Sequence, residues 1–587
     1  MTLDLLRTMQ NAFAACQRGD WTEAEAISRR VLSVRADAFE ALFLLGIIAG
    51  QRGKPGEAVE LLTRAIAANA TNPDAHFNRG VALGELGRTE EALESYERVL
   101  GLDPSYAEAH FNRGVILGGL HRWGEAVECY DRTISLRPDD AEAHHNRGIA
   151  LAELSRPTEA LESYDRAIGL RAGYAAAYSN RGVALASLGR LEEALESYDR
   201  AIEFKPDYAG AHDNRGVALL ELDRPAAALA SHDRALALRP DSAEAHYNRG
   251  NALRELSRYR EAVASYERAL TLRPDYAAAH WNLADSLLLL GEFARGWQEY
   301  EWRWKLEDRR QGKRDFSEPL WLGGEPLAGK TILLHSELGL GDTILFSRYA
   351  TKVAATGAKV ILEVQPSLLP IMIGLEGVAL TLPRGASLPA FDCQCPLMSL
   401  PLAFRTDLAS IPSNVPYLGS DAERVAVWIE RLGTYDRPRV GLVWSGSAKL
   451  RNDRRSMPLA QIVPLLSPWA QWVSMQKDVP EEDAALLASR TDLRHVGGAL
   501  DDFAETAAVL TLMDLVVTVD TSVANLAGAM GKPVWILLPF NPHDWRWMLE
   551  RRDSPWYPTA RLFRQPSPGD WESVIARVRE EIALWVR

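Results

Sequence analysis

Cysteine is almost absent: Cys16, Cys129, Cys393 and Cys395 are the only four in 587 residues. That excludes a disulfide-stapled scaffold and points to a reducing compartment. Cys393 and Cys395 form a C-x-C pair with no second pair to complete a zinc site, so they read as two thiols on one buried stretch. Basic charge is in deficit. Lys and Arg number 66 against 79 Asp and Glu, and the net charge of −13 excludes a nucleic-acid binder with a basic face. Long apolar runs are missing too. The longest, 41–49, is about half of what a bilayer span needs. The first twenty residues carry Asp4 and no apolar core, so no secretory signal is expected there. A cytoplasmic protein without nucleic-acid or membrane partners is expected. At this length one core is not enough, and several domains are expected.

What is present is self-similarity at 34 residues. Ala-His-Phe-Asn-Arg-Gly at 75–80 recurs at 109–114, with related versions starting at Ala143, Ala177, Ala211, Ala245 and Ala279. Glu-Glu-Ala-Leu-Glu-Ser-Tyr at 90–96 returns at 192–198. Prolines 104, 138, 206, 240 and 274 mark the junctions. Each unit reads as two amphipathic helices joined at a turn such as Gly87-Arg88. Gly80 and Ala92 mark the close approach of helices, and Tyr96 is expected to fill the gap between units. This resembles the tetratricopeptide (TPR) pattern, a 34-residue helical hairpin. About nine units are expected over 1–310, stacked into a superhelix whose concave face is built by the first helix of each unit.

On that helix one position is always asparagine: Asn78, Asn112, Asn146, Asn180, Asn214, Asn248 and Asn282. A carboxamide both donates and accepts, so the column could clamp an extended backbone without reading its sequence. Each asparagine could equally brace a neighbouring helix. The column resembles the asparagine ladder of the O-GlcNAc transferase array, which holds protein acceptors. His76, His110, His144, His212, His246 and His280 form a second column, read as packing because one zinc cannot reach ligands a repeat apart. Three tryptophans at 297, 302 and 304 end the array and predict docking onto the next domain.

Residues 311–327 read as a linker. Gly324 to Thr331 spells G-x-x-x-x-G-K-T, but it follows a polar linker and precedes a strand, the reverse of a phosphate loop. Beyond it, apolar runs at 332–334, 360–364, 378–382, 440–444, 472–475, 515–519 and 534–538 alternate with helical stretches such as 342–356, 503–513 and 522–530. That alternation predicts parallel sheets. A break near 413–437 divides them into two Rossmann-like halves, 328–424 and 425–587, facing a cleft. The Gly339-x-Gly341 turn matches a dinucleotide fingerprint only in part, because Ile344 stands where a third small residue belongs. Asp520-Thr521-Ser522 ends a strand and opens a helix, a better phosphate site. Lys449, Arg451, Arg454 and Arg455 follow Gly441 to Ser447 as a basic cluster, suited to an anion or to solvent.

The segment resembles a GT-B glycosyltransferase related to the bacterial heptosyltransferases, and the whole chain resembles TPR-bearing glycosyltransferases that modify flagellin. The resemblance rests on Glu337-x-Gly339-x-Gly341-Asp342-Thr343, Val443-Trp444-x-Gly446, Asn452-Asp453-x-x-x-Ser456, Ser474-x-Gln476-Lys477, Asp520-Thr521 with Leu526 to Pro533, and Asp544 to Trp547 with Ser554 to Pro558. It implies an α array followed by an α/β GT-B part, and a general base at Asp342. The local reading of Asp342 as a helix cap is compatible with that role. It further implies a nucleotide-sugar donor as substrate, bound by Trp444, Ser445, Gly446, Lys449, Arg454, Arg455, Ser456, Gln476, Lys477, Asp520, Thr521, Ser522 and Asn525. Asn525 replaces the family's histidine, which leaves a hydrogen bond but removes that group's charge. No Asp-x-Asp follows residue 310, so neither metal nor cofactor is expected. The expected activity is inverting transfer of a sugar to Ser or Thr of a protein on the array, with flagellin the acceptor the resemblance implies. A non-catalytic TPR adaptor and a lipid or polysaccharide glycosyltransferase are the competing readings.

Overall fold

The computed structural model describes residues 3–307, 313–337, 339–434, 436–446, 454–541 and 544–585. They form two compact units, 1–240 and 241–587, so the division falls inside the repeat array rather than at its end near 310. The first unit is all helical, from Leu3–Gln17 to Pro225–Leu238, in hairpins at the predicted period. Each hairpin turns through one residue in the left-handed region. Gly87 (φ 70°) and Gly189 (φ 74°) do so freely, whereas His121, Ser155 and Asp223 adopt φ of 58–59° at the strain such residues bear there.

Three columns lock each hairpin and tie it to the next. A Cβ on Gly148 would lie 2.5 Å from the Tyr164 ring, and Gly80 is closed over in the same way by Tyr96. Tyr96 therefore fills the space inside its own unit, and its hydroxyl also bonds Asn112 of the next unit, so it spans the junction as expected. The histidines reach back to the preceding loop. His76, His110, His144 and His212 Nε2 lie 3.0–3.2 Å from the carbonyl oxygens of Ala70, Pro104, Pro138 and Pro206. Burial lowers the pKa of His76, His110 and His144, keeping them neutral. Arginines join successive units. Arg147 donates to Ser163 in its own hairpin (2.7 Å) and to Asp131 in the preceding one (2.6 Å), and Arg181 and Arg215 repeat the arrangement.

The second unit begins with the helices Ala243–Glu255, Tyr259–Leu272, Ala277–Leu289 and Phe293–Tyr300. Among the described residues ten strands follow: β1 Thr331–His335, β2 Lys359–Val364, β3 Val378–Pro383, β4 Cys393–Pro396, β5 Arg439–Val443, β6 Gln471–Ser474, β7 Leu493–His495, β8 Leu515–Val519, β9 Val534–Leu538 and β10 Ala560–Arg564. They form two sheets, β3-β2-β1-β4 and β10-β9-β8-β5-β6-β7, parallel throughout. The seven predicted runs are all strands. β4, β7 and β10 escape a search for apolar runs because they are short or alternate with charged residues. Helix Ala422–Leu432 lies on the second half, with Trp428 Nε1 donating to Glu505 at 2.6 Å, so that half begins slightly before 425. The end of the predicted linker is structured: Trp321 N–H donates to Gln394 O beside β4 at 2.8 Å. Lys330 of the phosphate-loop look-alike sits 3.4 Å from Glu325, in front of β1. Glu363 on β2 is fully buried and paired with Arg314.

The tryptophan-rich end of the array is fastened into the α/β part. Trp297 meets Trp545 edge-on at 5.0 Å and Phe346 at 6.5 Å, and its indole N–H donates to Thr406 O at 3.0 Å. Trp302 stacks instead on His280, 3.6 Å away. Beside Trp297 a buried ion pair forms. Arg303 grips Glu337 with two bonds of 3.0 Å and donates to Ser399 (2.8 Å) and Glu301 (2.7 Å). Burial pushes the Glu337 carboxyl upward, opposed by the charge of Arg303.

Gly148→Ala should lower the stability of the array by about 1–3 kcal/mol, because the tyrosine must move. Gly169→Ala, whose Cβ meets nothing within 4 Å, should instead raise it by about 1 kcal/mol. Denaturant midpoints of the two variants check the opposite signs. Arg303→Met should destabilise the second unit by about 3–5 kcal/mol by stranding Glu337, and Arg303→Met combined with Glu337→Leu should recover much of that loss. Unfolding curves of the single and double variants measure it.

Candidate functional site

Two short helices meet end to end across the cleft between the sheets. Leu340–Ser347 follows β1, and Ser522–Ala529 follows β8. Their N-termini approach so closely that a Cβ on Gly341 would lie 3.0 Å from Asn525 Nδ2 and 3.9 Å from Ser522 Cα. A side chain at 341 would require the Asn525 carboxamide to give by a few tenths of an ångström. The convergence leaves a cavity of about 540 Å³. Gly339 and Gly341 line it from the first half. Ser445, Gly446, Arg455, Gln476, Lys477, Asp520, Thr521 and Ser522 line it from the second, with Val443, Leu500 and Phe503 as an apolar wall. Thr521 stands at the N-cap of its helix without a side-chain cap. The first amides of that helix face a site that favours negative charge.

The predicted donor-site residues divide into those that face the cavity and those that shape it. Trp444 is fully buried, and its indole N–H donates to Asp483 at 2.7 Å, so it is a core residue behind the site. Gln476 lines the cavity, but its side chain is fully engaged. Its Oε1 accepts from the Trp444 and Ser445 amides at 3.1 and 3.0 Å, and its Nε2 donates to Ser445 O and Asp478 O. Ser456 Oγ accepts from the Gly446 amide at 2.8 Å and braces the same loop. Asn525, 2% exposed, donates to Thr521 O (3.1 Å) and accepts from Tyr557 OH (3.0 Å), so its carboxamide holds the helix rather than reaching a ligand. Arg454 turns to Glu255 of the Ala243–Glu255 helix at 2.9 Å. Arg455 stays at the cavity, 3.3 Å from Asp520 O, and Lys477 lies 3.2 Å from Asp501 O. Lys449 and its neighbours 447–453 lie outside the described residues.

Asp342 is the third residue of its helix. Its Oδ2 accepts from the Gly339 amide at 3.0 Å, and its Oδ1 is paired with Arg546. Arg546 also pairs with Asp544 and is itself buried, so one guanidinium joins a carboxylate of the first half to one of the second. Burial lowers the Arg546 pKa. Burial, then the neighbouring charge of Asp520, pushes the Asp544 carboxyl up. Asp544 and Arg546 sit in a motif, Asp-Trp-Arg-Trp, whose two charges between tryptophans were the available signal, yet nothing in their spacing linked them to Asp342, 204 residues away.

The asparagine column divides as well. Asn282 is buried and donates to Asn251 (2.9 Å) and Tyr247 (3.2 Å), bracing the last hairpins, so it is not presented to a ligand. Asn78 donates to Asp74 O in its own helix, and Asn180 lies 3.1 Å from His145 Nε2. Asn78, Asn112, Asn146, Asn180, Asn214 and Asn248 are partly exposed.

The repeats match known families. Models of the tetratricopeptide repeat cover 12–73, 45–107, 77–118, 111–175 and 214–259, and TPR repeat models cover 184–223 and 250–291. Protein FlbA of Caulobacter vibrioides is 28% identical over 319 residues, which is 49% of this chain and 52% of its own. The chain thus spans about half the length of that relative. Among solved structures, YrrB, described as a TPR protein with an unusual peptide-binding site, is 28% identical with a TM-score of 0.29, covering 32% of this chain and 97% of YrrB. A tetratricopeptide repeat protein of Parabacteroides merdae is 19% identical with a TM-score of 0.36, covering 42% of this chain and 98% of its own. No helix among the described residues is long and apolar enough to cross a membrane. The chain therefore carries tetratricopeptide repeats across most of residues 12–291, followed by an α/β region with two parallel sheets.

Proposed function

We propose that the chain is an inverting glycosyltransferase of GT-B type that transfers a sugar from a nucleotide-sugar donor to a hydroxyl of a protein held by the array. The observation that carries this reading is the 540 Å³ cavity, with an uncapped helix start, Arg455 and an apolar wall on one side and Gly339 to Gly341 on the other, Asp342 following directly behind that turn. The helix amides at Ser522 and Val523, with Arg455 and Lys477, suit a diphosphate. Phe503 and Leu500 suit the flat face of a base. Asp342, on the opposite helix, is the group to accept the proton of an incoming hydroxyl. Each of its oxygens already accepts one bond, so the hydroxyl takes a remaining lone pair beside Arg546 or the Gly339 amide. Flagellin is the acceptor that the sequence resemblance favours.

A non-catalytic adaptor is supported by the same pairing of Asp342 with Arg546 and by the engagement of Asn525 in the fold. Calorimetry of the full chain with a panel of nucleoside diphosphates separates the readings. One molecule of one nucleotide should bind per chain. Arg455→Ala should weaken it about tenfold or more, the worth of one charge-assisted hydrogen bond. Absence of heat with every nucleotide would favour the adaptor.

A further inference from the structure

The first helices of the repeat carry a second pattern, which the asparagine column accompanies but does not explain. In Pro73–Glu85 the buried residues Ala75, Gly80 and Leu83 lie on one side, and positions 78, 81 and 85 share the opposite side. Carried through the first unit, position 81 becomes a row of Val81, Val115, Ile149, Val183 and Val217. Val115 and Val183 are each 45% exposed and Val217 is 36% exposed. β-Branched residues are mediocre helix formers, and exposed ones add nothing to the core. Position 85 gives a parallel row in which Glu85, Glu153 and Glu221 alternate with Gly119 and Ser187. All three glutamates are exposed and have no ion-pair partner among the described residues, whereas carboxylates of the second helices, such as Glu91 and Glu193, are gripped by arginines. No lysine or arginine occupies any of these positions in the five helices.

We propose that this face docks an extended, polyproline-II-like segment of a protein, with an aliphatic side chain at every third residue and a lysine or arginine at about every sixth. Like helices of the array recur at roughly 10 Å, the separation of packed helices or slightly more. A polyproline-II chain advances about 9 Å in each three-residue turn and returns the same side of the chain to the valine row at each repeat. Glutamates on alternate repeats then meet every second turn, and their charge selects basic side chains. Such a segment has no internal hydrogen bonds. Its free amides and carbonyls suit the remaining donors and acceptors of the neighbouring, partly exposed carboxamides, each of which has more sites than the one that Asn78 or Asn180 spends on the array. The inference rests on the reading of the array as the acceptor-holding part.

Fluorescence anisotropy with the full chain and a labelled (Val-Pro-Ser-Val-Pro-Lys)₃ peptide tests it, with no nucleotide present. Binding should fall at least fivefold when the peptide valines become serine. It should fall similarly for Val115→Ser combined with Val183→Ser, and for Glu85→Gln, Glu153→Gln and Glu221→Gln combined, with unchanged circular dichroism. Raising the salt should weaken wild-type binding and leave the glutamine variant nearly unaffected. No binding, equal binding by the variants, or tighter binding of a helical peptide with the same residues would overturn the proposal. Because no donor is present, a failure of the transferase reading leaves this result unchanged and is seen only in the nucleotide calorimetry.

Discussion

The close meeting of two helix starts at Gly341 and Asn525 is the constraint on which the second unit depends. A side chain at 341 would press on Asn525 Nδ2 at 3.0 Å. With glycine there, the positive ends of two helices face one cavity, and each half of the α/β region contributes one. Parts that look like ligand-binding groups in sequence serve to hold that geometry. Asn525 ties its helix to Tyr557, Gln476 ties the loop after β6 to the loop after β5, and Arg546 ties Asp342 to Asp544. The site is therefore built from rigid secondary structure, with side chains bracing it from behind, which is the arrangement a precise binding site requires.

The end of the array belongs to the same construction. The helices from Ala243 onward share a compact unit with the sheets, and the buried pair of Arg303 and Glu337 lies just ahead of the Gly339-Gly341 turn. An isolated buried ion pair is poor evidence of stability, but here Arg303 also donates to Ser399 Oγ and Glu337 also accepts from the Met398 amide, so the charges are not left bare. Trp297 packs against residues of both halves, Phe346 and Trp545, and supplies the apolar surface that the pair lacks.

Much of this was legible in the sequence, for a physical reason in each case. The repeats could be read because each unit is solved by the same packing and so repeats the same residues. The central strands could be read because strands buried on both faces must be continuously apolar. Three of the four edge strands escaped that rule, β4 with Cys-Gln-Cys-Pro, β7 with Leu-Arg-His and β10 with Ala-Arg-Leu-Phe-Arg, whereas the edge strand β3 was found by its apolar residues. The site was legible as a neighbourhood, through the Gly-Asp and Asp-Thr turns at the ends of β1 and β8. Roles within it were not. Trp444 and Asn525 are of the types that bind nucleotides and also of the types that brace loops, and only burial tells the two apart. The pairing of Asp342 with Arg546 spans 204 residues and leaves no trace in local spacing.

The central claim is that Asp342 accepts a proton from a protein hydroxyl during sugar transfer. Intact-mass spectrometry of candidate acceptor proteins, from a strain lacking this chain and from the same strain carrying the wild-type chain or Asp342→Asn, tests it most directly. The account predicts an added mass of one or more sugar residues with the wild-type chain, and its loss with the deletion and with Asp342→Asn expressed at the same level. An acceptor modified equally in the presence of Asp342→Asn would contradict it.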